Sequence, residues 1–302
     1  MELVRISLMI CPMVAGLATV IGVLTWSRRA RLAGRRSPLT QGLLRPPGHE
    51  TRRRFDDLFV DLMGWLMVAL AMPAMLGTFA AFNGLMRDGA VDWIALFIFL
   101  GSAIFVIGLS AYKLVKINEE TMNLRMGWDA EMAAGQELDQ LMRKGAYVFH
   151  DLSATAFNVD HVLICSAGVY AIETKSRMKP QQAGKESARV VVDGVVLKFP
   201  GWSETAPIEQ ARRQAKWLSK GLTKAVGEEV QVAPVLALPG WFVEEFQRGD
   251  VRVINPKNFH FLLQSRGPQL TASMVERIAH QIEQRCRNVA PAFTKNGETV
   301  TL

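Results

Sequence analysis

The stretch that decides the fold is Val159–Lys175, VDHVLICSAGVYAIETK. Two β-rich apolar runs, Val159–Cys165 and Val169–Thr174, flank a tight turn that contains a glycine. The first run opens on Asp160 and His161, and the second closes on Glu173 and Lys175. Strands this apolar read as core, where charged side chains are rare unless paired. With Ala167-Gly168 as a two-residue turn, Ser166 pairs with Val169, Asp160 pairs with Lys175, and Val162 lies opposite Glu173. Side chains alternate along a strand, so Asp160, Glu173 and Lys175 share one face of the sheet. A one-residue slip would move Asp160 to the other face. His161 alternates away from the three and reads as a structural histidine.

Working outward, residues 128–144 (WDAEMAAGQELDQLMRK) have the spacing of an amphipathic helix. Ala134, Leu138 and Leu141 or Met142 form its apolar stripe, and Glu131 falls on that stripe. A first strand is expected at AYVFHDL. RVVVDGVVLKF reads as a second hairpin with Asp193-Gly194 at its turn. Residues 207–225 read as a helix opening on Pro207. QVAPVLALP and VRVI read as strands, and a last helix runs from about Ser273, with a Ser273/Glu276 capping box, to about Val289. The order of helix, three strands, hairpin, helix, two strands and helix predicts an α/β domain with a mixed central sheet over residues 117–302.

The first 116 residues have a different character. No residue is charged between Arg5 and Arg28, between Asp61 and Arg87, or between Asp92 and Lys113, gaps of 22, 25 and 20 residues. A helix needs about 20 mostly apolar residues to cross a bilayer. Three spans are therefore expected at about 6–27, 62–86 and 93–112, with Trp26, Trp65 and Trp93 at or near their ends. Nine arginines and one acid, Glu50, lie between Arg28 and Arg54. That flank suits an anchor rather than a cleaved leader. Lys and Arg gather on the cytoplasmic side, so the N-terminus is expected outside and residues 117–302 in the cytoplasm, at the inner (cytoplasmic) membrane. Residues 1–116 carry 13 basic and 7 acidic side chains, a net +6 out of +7 for the chain. The excess basic charge is thus a topology signal, with the lipid bilayer as partner, and not in itself a nucleic-acid footprint. Cys11, Cys165 and Cys286 have no metal-type spacing and suit a reducing compartment.

Two carboxylates on adjoining strands repel each other, and without compensation one tends to protonate. A divalent cation is one remedy, because Mg²⁺ is held through one or two carboxylates with water and phosphate oxygens. Lys175 is then placed to act on a water or to offset charge on a phosphate, and Glu131 to add a third carboxylate. On the expected helix, Arg212, Lys216, Lys220 and Lys224 recur every four residues along one face and suit phosphate contacts. The plainer alternatives are a strand-capping Asp160, a Glu173–Lys175 surface ion pair, and solvated faces for Glu131 and the basic row.

GWDAE, NVDHVLICSAGVYAIETKS and PIEQA together resemble the NERD (nuclease-related) domain of the PD-(D/E)xK superfamily, over about residues 124–240. The resemblance implies a restriction-endonuclease-like fold and a metal-dependent nuclease using Mg²⁺ or Mn²⁺ on DNA or RNA, DNA being favoured, and the expected spans would anchor it to the membrane. It implies that Asp160 and Glu173 are metal ligands, that Lys175 completes the Glu-x-Lys pair, and that Glu131 is the acid of the leading helix. Gln210 corresponds to the glutamine of the following helix. The alternative is a catalytically silent module that binds nucleic acid or an unidentified protein partner. A membrane scaffold or channel component is disfavoured, because the spans lack inward-facing charge.

Overall fold

The computed structural model describes residues 15–16, 18–27, 29–30, 38–39, 41–83, 86–87, 90–154, 157–181, 184, 186–264 and 268–291. They fall into two units, Leu44–Cys286 and a smaller one drawn from Met1–Leu43 and Arg287–Leu302. In the smaller unit, residues 18–27 form an apolar helix. The rest of the first expected span, apart from 15–16, lies outside the described residues.

The larger unit begins with two long helices, α1 (His49–Asn83) and α2 (Trp93–Asp139). Both are long and apolar enough to cross a membrane, with mean hydropathy 1.8 and 2.5 in their most apolar segments. They run antiparallel. Thr51 lies beside Gly127 and Gly77 beside Phe99, with the Lys113 ammonium 5.8 Å from the Trp65 ring between these two contacts. Two expectations need correcting here. The second expected span is not a helix confined to 62–86, because the preceding HETRRRFDDLFVD carries no Gly or Pro and is helical from His49. Nor is 128–144 a separate helix. Nothing in KLVKINEETMNLRM breaks the backbone ladder, and one helix of 47 residues runs from Trp93 to Asp139 before tightening into a 3₁₀ turn, Gln140–Lys144.

The α/β part is built on a five-stranded sheet from β1 (Tyr147–Ser153), β2 (Asn158–Cys165), β3 (Gly168–Thr174), β7 (Val232–Ala237) and β9 (Arg252–Ile254). The order is β9-β7-β3-β2-β1. β3, β7 and β9 are parallel, and β1, β2 and β3 antiparallel, so the sheet is mixed as expected. On one face Val162, Ile164, Val169 and Ala171 pack against α3 (Ala206–Val226) and α4 (Ala272–Cys286). On the other, Leu163, Cys165 and Ile172 meet Ala134 and Leu138 of α2 and Phe259.

A separate four-stranded sheet, which a single central sheet did not anticipate, contains β4 (Arg189–Asp193), β5 (Val196–Phe199), β6 (Trp202–Glu204) and β8 (Phe242–Gln247). Its core joins Ile208 and Ala211 of α3 to Trp241 and Leu238. Both expected hairpin turns shift by one residue. Cys165 pairs with Gly168, leaving Ser166-Ala167 as the turn. Asp193 pairs with Val196, leaving Gly194-Val195. In each case glycine takes the positive φ that an L side chain resists, 145° at Gly168 and 61° at Gly194. The last helix is capped by Thr271, whose hydroxyl accepts from Met274 N at 3.2 Å, instead of by Ser273, and it ends at Cys286.

Candidate active site

The acids of the opening stretch meet at the end of the β2–β3 hairpin. The observed register, His161 with Ile172 and Val162 with Ala171, brings Asp160 opposite Glu173 rather than opposite Lys175. The slide is two residues in pairing, so the shared face survives. Asp160 is half-buried, and its Oδ2 accepts from Thr174 N at 2.7 Å. Its Oδ1 has no partner among the described residues. Lys175 lies one residue beyond β3, and its N–H donates to Ala237 O at 3.0 Å, which keeps the chain extended. Two residues apart, Glu173 and Lys175 therefore point the same way, and Lys175 Nζ stands 2.6 Å from Glu173 Oε1.

Glu173 is 2 % exposed, a costly place for a carboxylate without partners. It has three donors. Gln210 Nε2 and Lys175 Nζ reach Oε1 at 2.8 and 2.6 Å, and Gln214 Nε2 donates to Oε2. An ionised carboxylate offers about four lone-pair sites, so one remains, on Oε2. Gln214 also donates to Asn158 O at 2.8 Å. Gln214 was not among the expected residues, although its sequence signal was available. It follows Gln210 by four positions and so lies one turn along the same face of α3.

Glu131 enters from α2, where its Oε1 accepts from the Thr51 hydroxyl of α1 at 2.8 Å. Asp151 of β1 is buried, and among the described residues it is the non-glycine residue at positive φ, 52°. Its two carboxylate oxygens accept from Glu50 N and from Asn158 Nδ2. Neither Thr51 nor Asp151 carries a local pattern that would have marked it, since Thr51 is 80 residues from Glu131.

These side chains line a cleft of about 780 Å³ that includes Glu131, Asp151, Asp160, Glu173, Lys175 and Gln210. Burial raises the Asp160 carboxyl well above its usual range, and the facing charges of Glu173 and Glu131 raise it further. Burial is also the main cause that pushes Glu131 up to about 7, with Asp151 and Glu173 adding to it. Asp151 is raised by burial too. His161 lies on the opposite face, fully buried, with Nδ1 2.8 Å from Nδ1 of His150. Burial, then His150, lowers its basicity.

The basic row is elsewhere. None of Arg212, Lys216, Lys220 and Lys224 lines the cleft. Arg212 is held by two hydrogen bonds to Asp250, while the three lysines are exposed. Among the described residues no three His, Cys, Asp or Glu side chains converge as a ready-made metal cage. Mg²⁺ does not require one, because it keeps several waters and takes one or two carboxylates. The open lone pairs of Asp160 Oδ1 and Glu173 Oε2, both hard oxygen donors, fit that demand.

No curated protein and no solved structure matches the chain. Residues 126–239, the segment that carries Glu131, Asp151, Asp160, Glu173, Lys175, Gln210 and Gln214, match the model of the NERD family, the nuclease-related domain.

Proposed function

We propose that the chain is a membrane-anchored, metal-dependent nuclease that hydrolyses phosphodiesters of DNA or RNA at the inner face of a cytoplasmic membrane, with a restriction-endonuclease-like, PD-(D/E)xK catalytic domain. The observation that carries this reading is the charge balance of the cleft. Glu50, Glu131, Asp151, Asp160 and Glu173 line it against Arg54, Lys175 and Arg177, an excess of acids, and Asp160 is disfavoured as an anion. Such a site attracts a divalent cation and repels a bare phosphate. Asp160 and Glu173 would hold Mg²⁺ or Mn²⁺. The ion, when bound, offsets their charge and polarises a phosphoryl oxygen.

The chain's own groups do the rest. Gln210 and Gln214 fix the Glu173 carboxylate so that its open lone pair has one direction. Lys175 Nζ presents positive charge at the mouth of the cleft, where charge builds on the phosphate. Glu131, with its carboxyl near 7, takes the proton of the attacking water. The water oxygen bonds to phosphorus, and the bond from phosphorus to the departing sugar oxygen breaks, that oxygen taking a proton from solvent water to leave as a hydroxyl.

Exposed apolar surface supports the anchor. Leu70, Phe97 and Phe105 are 67, 70 and 70 % exposed, which a water-facing helix does not sustain in such density. Asp61 and Lys113 bound the apolar segments. From them the cleft stands about 17 Å along α1, at Glu50, and about 27 Å along α2, at Glu131, at about 1.5 Å per residue. That distance leaves room for a nucleic-acid strand under the headgroups.

The test uses the full chain in nanodiscs, with labelled single- and double-stranded DNA and RNA, in Mn²⁺ and in chelator. Asp160→Asn is expected to abolish cleavage while keeping or raising stability, because a disfavoured carboxylate is removed. Lys175→Ala is expected to stop cleavage but to retain Mn²⁺ binding in calorimetry. Wild-type protein that binds no divalent ion even with nucleic acid present would instead be a docking module.

A further inference from the structure

Thr51 lies outside the segment that matches the nuclease-related domain, yet its hydroxyl touches Glu131 inside the cleft at 2.8 Å. The chain reaches α1 through a strap, Pro47-Gly48, laid directly on α2. A Cβ added at Gly135 of α2 would come within 2.5 Å of Pro47 Cγ and 2.8 Å of Pro47 Cβ. Gly48 has φ +66°, and a Cβ there would strike Trp128 Cδ1 and stand 3.5 Å from Glu131 Oε2. Two glycines, one on each partner, thus allow the strap to lie close enough for Thr51 to reach its acceptor.

A second contact anchors the same turn independently. Glu50 N donates to Asp151 Oδ2, while Asn158 Nδ2 donates to Oδ1 at 2.8 Å. Arg45 Nη1 donates to the Asp151 carbonyl at 3.0 Å. Asp151 is at φ 52°, in the left-handed region that Asp and Asn enter more readily than other side chains. The Asn158 carbonyl accepts from Gln214, whose same nitrogen donates to Glu173. Hydrogen bonds therefore run without a gap from the first turn of α1 to the acid of the Glu-x-Lys pair.

We propose that the first turn of α1 is part of the active site, and that Thr51 is a positioning residue which holds Glu131 Oε1 and leaves Oε2 to face the reaction. The catalytic consequence rests on the nuclease reading, whereas the contact itself does not. The charged groups around Glu131 are Asp151 of β1, Asp160 of β2, and Glu173 and Lys175 at the end of β3, and Glu50 and Arg54 of α1 and Arg177 line the same cleft.

Two measurements on the full chain in nanodiscs separate the possibilities. The first follows the ¹³C carboxyl signal of Glu131, identified by its loss in Glu131→Gln, through a pH titration. The Thr51 hydrogen bond pulls the Glu131 carboxyl down, so Thr51→Val is expected to move its midpoint up and Thr51→Ser to restore it. An unmoved midpoint in Thr51→Val overturns the proposal whether or not the protein cleaves anything. The second is Mn²⁺-dependent cleavage of a labelled oligonucleotide. Thr51→Val should lower kcat at least tenfold at unchanged KM, and Thr51→Ser should recover it. A shifted midpoint with unchanged kcat overturns the positioning role. If wild-type protein cleaves no oligonucleotide, the nuclease reading fails, and the titration alone decides whether Thr51 holds Glu131.

Discussion

Glu131 loses most of its water to the packing of α1 on α2, and that loss, with Asp151 and Glu173 nearby, raises its carboxyl to about 7 against the pull of Thr51 and Lys175. A carboxyl raised in the folded state binds its proton more tightly there than in the unfolded chain. The resulting stability is fully present below about 4.5 and is lost as pH rises through about 7. Asp160 and Asp151 are raised as well and act in the same direction. Urea unfolding of the metal-free chain is therefore expected to show stability falling from pH 5 to pH 8. Glu131→Gln should flatten that slope, and a slope that stays the same would mean Glu131 is ionised throughout. At this scale the sequence was legible where a local rule applied. Strand alternation put Asp160, Glu173 and Lys175 together, and helical spacing put Glu131 on the buried side of α2. Thr51 and Asp151 escaped because their roles come from contacts between distant segments, which no periodicity records.

Among the elements, α3 has two functional faces. Gln210 and Gln214 look into the sheet at Glu173, while Lys216, Lys220 and Lys224 stand in solvent. Arg212 differs from the lysines in the same row, because its guanidinium is already bound in a fork by Asp250. If the row holds phosphates, changing Arg212, Lys216, Lys220 and Lys224 to Gln should weaken binding of duplex DNA and leave the domain folded. The plot of log affinity against log salt should become shallower by about 0.9 for each phosphate that is no longer neutralised. The three exposed lysines should account for most of that change. An unaltered slope would make the row a solvated face. The expected elements were found, with their ends displaced for identifiable reasons. Both hairpin turns moved by one residue, and Gly168 and Gly194 keep a positive φ in the observed register. The strand Phe242–Gln247 went unread because most of its residues are exposed, so it has little apolar alternation to show.

For the whole molecule, the proposed anchor predicts that the arginine-rich segment between Arg28 and Arg54 and the basic Lys113 and Lys116 lie on one side of a bilayer, with MRDGAVD on the other. A reporter fused after Leu302 is expected to behave as cytoplasmic, and one fused near Gly89 as exported. An external Leu302 fusion would separate the α/β domain from cytoplasmic nucleic acid and remove the proposed substrate. Sequence length and charge made the apolar segments plain. They did not show that α2 continues unbroken into the cleft, because helix continuity depends on the absence of a breaker and leaves no positive mark. That continuity makes α2 a stiff rod with one end in the apolar region and Glu131 near the other. A rod passes on axial slide and rotation undiminished. One residue's rise, about 1.5 Å, is already more than half the length of the bond from Thr51 to Glu131. If the proposed anchor holds, the thickness and tilt that lipid imposes on the helical hairpin become mechanical inputs to the position of a proton-carrying oxygen.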